Sequence, residues 1–117
     1  MAEKDILTAL DELVRLGAEG KPMDAFDKFY HDDLERTELD GSTIVGKVKN
    51  REAAVQLLSK VTAFRDFSRV GQLVRGDRSF LVWSVDLDHA DNGQLKVVEV
   101  AIQDWKDGKI IREKFVA

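Results

Sequence analysis

The chain contains no cysteine in 117 residues. Disulfides, thiolate nucleophiles and cysteine-based zinc sites are therefore excluded. Proline occurs once and glycine eight times, mostly singly, so no linker or low-complexity stretch divides the sequence. No apolar run approaches the length of a membrane span, and "MAEKDILTAL" lacks the layout of a signal peptide. These features predict no membrane partner and a cytoplasmic location. A basic patch is missing too. Lys and Arg number 18 against 22 Asp and Glu, they are scattered, and the net charge is −4. Nucleic-acid binding needs a positive footprint that displaces counterions from phosphates, so it is not expected.

What is present suits one globular domain spanning 1–117 with a core of its own. Ile6, Leu7, Leu10, Leu13 and Val14 recur at helical spacing and predict a first helix ending near Gly17 to Gly20. Pro22 suits the first turn of a second helix, whose inner stripe is Met23, Phe26, Phe29 and Tyr30. Two short extended pieces follow, "LERTEL" and "STIVGK". Asn50 is placed to cap a third helix carrying Ala53, Ala54, Leu57, Leu58, Val61 and Phe64. The remainder reads as four strands: "FSRVGQLVR", "SFLVWSVDLDH", "LKVVEVAIQDW" and "KIIREKFV". Helices gathered before a run of antiparallel strands imply an α+β fold.

The turns set an expected register. A two-residue loop at Asn92-Gly93 would place Asp86 opposite Glu99. A three-residue loop at Lys106 to Gly108 would place Ala101 opposite Glu113 and Glu99 opposite Phe115. One sheet face would then gather Asp86, Glu99, Gln103, Trp105, Glu113 and Phe115. The other would carry Trp83, Val85, Val98, Val100 and Ile102. Clustered carboxylates repel, so solvent, a basic partner or a retained proton must compensate. Either the acidic face is simply the wet one, or both faces are covered.

"AFDKFYHDDLERTELDGSTIVGKVKNREAAVQLL" and "VEVAIQDWKDGKIIREKF" resemble the second helix, short hairpin and third helix, and the closing hairpin, of SnoaL-like proteins in the NTF2-like superfamily. Relatives there include ketosteroid isomerases, polyketide cyclases, limonene-epoxide hydrolases and dehydratases. The resemblance implies a cone, a curved antiparallel sheet wrapped around N-terminal helices. It turns the face of Glu99, Gln103 and Trp105 inward onto a pocket. It makes the face of Trp83, Val85, Val98, Val100 and Ile102 a homodimer surface. The general-base position of the isomerases falls on Glu38. Their oxyanion-hole aspartate falls on Ala101 and their oxyanion tyrosine near Leu10, neither of which can donate a hydrogen bond.

The resulting expectation is a protein with a pocket for a small apolar ligand, acting without a cofactor as an isomerase, cyclase or hydrolase. Glu38, Glu99 and Glu113 are the candidate acid/base groups. Tyr30, Asp86, Gln103, Trp105 and Phe115 are the candidate ligand contacts. The alternative is a non-catalytic ligand-binding or dimeric interaction module. Asp88 to Glu99 has the outline of a calcium loop, but Ala90 supplies no oxygen at its third position and its flanks are strand-like, so no metal is expected.

Overall fold

The structure is a computed structural model describing residues 1–117. Its elements run α1 (Glu3–Ala18), α2 (Pro22–Phe29), β1 (Tyr30–Thr37), β2 (Thr43–Val45), α3 (Lys47–Ser59), β3 (Val61–Arg75), β4 (Arg78–His89), β5 (Gly93–Lys106) and β6 (Lys109–Val116). The six strands form one sheet in the order β2-β1-β6-β5-β4-β3. Every neighbouring pair is antiparallel except β1 with β6, which is parallel. The expected all-antiparallel sheet is corrected at that one seam. The helices lie on the concave side. No helix is long and apolar enough to cross a membrane.

The N-terminal helices follow the spacing of their apolar residues. Ile6, Leu10, Leu13 and Leu16 are buried on α1, while Leu7 stays exposed. Gly17 lets α1 lie against β3, since a Cβ there would come within 2.6 Å of the Phe67 ring. Pro22 opens α2, and Ala25, Phe26 and Phe29 pack inward. Tyr30 belongs to β1 rather than to the end of α2, and its ring stacks on Phe26 at 4.7 Å.

The third helix differs most from expectation. Gly46, at φ 98°, precedes its first turn, and Asn50 lies inside it. Asn50 still serves the helix start: its Nδ2 donates to the carbonyls of Ile44 (3.0 Å) and Gly46 (2.8 Å). It is the one buried residue of α3. Ala53, Ala54, Leu57 and Leu58 line a cavity under the helix instead of closing into the core, and Val61 and Phe64 already belong to β3.

Both hairpin registers shift, with different consequences. His89 pairs with Gly93, so Trp83 lies opposite Glu99 and Asp86 opposite Lys96. This is an odd slip, and side chains alternate with period two, so β4 is turned over. Leu81, Trp83 and Val85 face inward with Glu99 and Ala101, and Val82, Ser84 and Asp86 face outward. The β5–β6 turn is the two residues Asp107 (φ 55°) and Gly108 (φ 77°), preceded on β5 by an irregularity between Asp104 and Trp105. Its net slip is even: Gln103 pairs with Glu113 and Ala101 with Phe115. Those side chains keep their expected face.

Candidate functional site

A chain of buried polar groups runs beneath the concave surface of the sheet. Trp105 Nε1 donates to Ser79 Oγ (2.8 Å), Ser79 Oγ to Gln103 Oε1 (2.8 Å), and Gln103 Nε2 to Glu113 Oε2 (2.8 Å). Glu113 is 1% exposed. Tyr30 in β1 donates its hydroxyl to the same carboxylate, at 2.8 and 2.6 Å from the two oxygens. Arg36 Nε lies 3.1 Å from Glu113 Oε1 as an ion pair, without the alignment of a hydrogen bond. Parallel pairing of β1 with β6 sets Arg36 beside Glu113. Every polar partner of this carboxylate is a donor, which suits an anion whose burial is compensated by a cation. Burial, followed by the charge on Glu113, pushes the Tyr30 phenol well above its ordinary value, so it keeps its proton.

Arg36 is held on two sides. Its guanidinium carbon sits 4.7 Å from the centre of the Phe115 ring and 5.8 Å from that of Tyr30. Burial alone would weaken its charge, but Glu113, Tyr30, Glu38 and Glu99 outweigh that and raise its pKa. Neither Nη group donates to a protein atom, and neither is sealed from solvent.

Above this layer opens a cavity of about 670 Å³. Its lining is mostly apolar, supplied by α1, α2, α3 and the sheet. Phe67, Trp83 and Phe115 form an aromatic wall, with centroid separations of 5.2 and 5.8 Å. The polar groups reaching it are few: Tyr30, Arg36, Glu38, Asp40, Asn50 and Glu99. Trp83 Nε1 donates to Glu99 Oε1 at 2.6 Å and leaves Oε2 without a protein partner. Burial raises the Glu99 pKa above the ordinary carboxylate value, against the lowering effects of the Trp83 bond and Arg36. Glu38 lies on the rim, 3.8 Å from Arg36 Nε and substantially exposed.

The candidates named from the sequence therefore separate into three groups. Glu38, Glu99, Tyr30 and Phe115 line the cavity together. Gln103, Trp105 and Glu113 lie in the buried layer beneath it and do not line it. Asp86 is on the outer face of β4, bound by Arg65 (3.0 Å) and Gln94 (3.2 Å), with a pKa lowered by those two bonds. It is corrected as a ligand contact because the odd slip turned its strand over. The expected dimer face divides for the same reason. Trp83 and Val85 lie inward, whereas Val98, Val100 and Ile102 lie on the convex side. Arg36 was not among the candidates. Its signal was the alternation of "LERTEL", which puts Leu34, Arg36 and Glu38 on one face, and Leu34 is fully buried.

A second depression, of about 390 Å³, is lined mostly by charged residues, among them the ion pairs of Arg78 with Asp104 and Arg112 with Glu35. No three His, Asp or Glu side chains converge as metal ligands would.

The fold recurs in solved structures. A Mesorhizobium loti protein assigned by likeness as a SnoaL-like polyketide cyclase or carbohydrate phosphatase superposes with a TM-score of 0.83 at 24% identity, over 96% of this chain and 98% of that one. An NTF2-like protein of unknown function from Burkholderia xenovorans gives 0.78 at 22% identity, over 97% and 82%. A protein of ketosteroid isomerase-like fold from Catenulispora acidiphila, in complex with trimethylamine, gives 0.75 at 8% identity, over 93% and 84%. At such identities the likeness is one of fold. No curated protein matches the chain. The sequence itself matches the SnoaL-like domain over residues 1–117, and the chain belongs to that family.

Proposed function

We propose that the protein is a cofactor-independent acid/base catalyst acting on a neutral, largely apolar carbonyl compound, with Glu99 as the proton-transfer group. The observation that carries this reading is the Glu99 carboxyl. It is half-buried at an apolar cavity, with one oxygen fixed by Trp83, the other free, and a raised pKa. A carboxylate of raised pKa is a stronger base than one in water, and its conjugate acid survives to return the proton.

Glu99 Oε2 takes a proton from the carbon beside the carbonyl. The C–H electron pair moves into the enolate, whose oxygen accepts from the free Nη edge of Arg36. Arg36 thus supplies the donor that Ala101 and Leu10 cannot. Glu113 holds it in place before the charge develops, so little reorganisation is needed. Because Glu113 neutralises Arg36, the site favours a neutral ligand that becomes negative only transiently. In a β,γ-unsaturated carbonyl compound, reprotonation of the dienolate at its γ carbon by Glu99 gives the conjugated isomer. Attack of the enolate carbon on a second carbonyl of the same molecule closes a ring, and the proton on Glu99 returns to the oxygen of that second carbonyl. Glu38, on the rim, is the second proton-transfer candidate. Tyr30 and Phe115 position Arg36, and Gln103, Trp105 and Glu113 support it from below. The convex face, with Val82, Val98, Val100 and Ile102, is the surface for a homodimer.

The test is deuterium uptake by 2-undecanone in heavy water, followed by mass spectrometry. The protein is expected to accelerate exchange beside the carbonyl, and Glu99→Gln to lower that rate by about 10²- to 10⁴-fold. Equal rates for the two proteins would remove Glu99 from the chemistry.

A further inference from the structure

The cavity has a polar end and an apolar end, and sheet geometry fixes the distance between them. On the concave face, three cross-strand rows follow one another: Trp83 with Glu99, Val85 with Val97, and Leu87 with Leu95. Phe64 joins the last row from β3, opposite Leu87. Glu99 and Leu95 are four residues apart on one strand, which spans about 13 Å, roughly the length of a ten-carbon chain.

The apolar end is not closed. Leu39, Leu57, Phe64 and Leu95 all line the cavity, yet they are 49%, 55%, 48% and 44% exposed. They come from the β1–β2 connection, α3, β3 and β5, four separate segments that line one cavity. Large apolar side chains that line one cavity and stay half exposed mark a binding site, whereas ones scattered over the surface would not. The cavity wall between Glu99 and this rim includes Trp83, Phe67 and Phe64, with the Trp83 and Phe67 rings in contact.

We infer that the ligand is elongated. Its carbonyl head sits between Glu99 and Arg36, and an apolar chain or ring system of about ten carbons in length runs along the lane to cover the rim. This rests on the proposed use of Glu99 and Arg36 for the head group, and it replaces a small ligand by one that spans the cavity. Burial of the rim gives the site its selectivity for length.

The experiment is binding of 2-alkanones of seven to fifteen carbons, read by tryptophan fluorescence, because Trp83 forms part of the cavity wall. The dissociation constant is expected to fall about fourfold per added methylene, until the chain reaches about eleven to thirteen carbons. Leu95→Ser and Phe64→Ser, at exposed positions, should flatten the upper part of the series and weaken long ketones more than 2-heptanone. Affinity that stops rising at 2-nonanone overturns the inference. So do rim variants that weaken every ketone equally, or that change self-association without changing ketone affinity. A length series that persists while Glu99→Gln leaves deuterium exchange intact would sink the catalytic reading and spare this one. Exchange lost in Glu99→Gln without a length series would do the reverse. If no ketone binds, both fall.

Discussion

Glu99 and Glu113 share the concave face on neighbouring strands, and their surroundings give them opposite tasks. Glu113 has its oxygens occupied by Tyr30, Gln103 and Arg36. Removing it leaves Arg36 buried without a counter-charge. Glu113→Ala should therefore cost about 3–5 kcal/mol, read by denaturant unfolding. Adding Arg36→Met should recover part of that loss, as coupled partners do. Glu99 is desolvated with only Trp83 bonded to it, and its pKa is raised from the ordinary 4.5. Between that ordinary value and its own folded value, the folded protein binds more protons than the unfolded chain. Stability is therefore lost as pH rises through that window. Glu99→Gln should melt higher than the unaltered protein near neutrality and match it well below pH 4.5. A lower melting temperature near neutrality would mean that the Glu99 charge is stabilised in the fold.

Among the elements, the strands were largely legible in the sequence and the turns were not. "KIIREKFV" coincides with β6 because Asp107 and Gly108 punctuate it. The turn at Asn92 was misread by its length. Gly93 enters the ladder opposite His89, and the loop is fastened from elsewhere. Ala90 N–H donates to the Lys60 carbonyl (2.8 Å), and Asp91 pairs with the Lys60 ammonium. Lys60 caps the C-terminal end of α3, thirty residues earlier in the chain, so nothing local revealed the slip that turned Asp86 outward and Trp83 inward. Asn50 was missed as a helix-interior residue because Gly46, at positive φ, starts the helix four residues sooner. The contact of α1 with β3 yields a prediction at this scale. Gly17→Ala puts a Cβ into the Phe67 ring. It should cost about 1–3 kcal/mol by overpacking, and it should also weaken ketone binding, because Phe67 walls the cavity.

For the molecule as a whole, the order of helices and strands was enough to give an α+β fold with its helices on one sheet face. The parallel β1–β6 seam was not legible, since it joins residues about eighty positions apart in sequence, as Tyr30 and Ile110 show. That seam matters most to the site, because it sets Arg36 beside Glu113. The convex side remains apolar along Val98, Val100, Ile102 and Val82. A homodimer there predicts that Val100→Asp shifts light scattering from a dimer mass to a monomer mass. A monomer before substitution would instead leave that face as plain surface. The most direct measurement for the site is a carbon-13 titration of the Glu99 carboxyl in the folded protein. Its midpoint is expected above the ordinary 4.5, moving down when Arg36 remains and Glu38 is replaced by Gln. A midpoint at or below 4.5 would show a solvated glutamate and contradict its role in proton transfer.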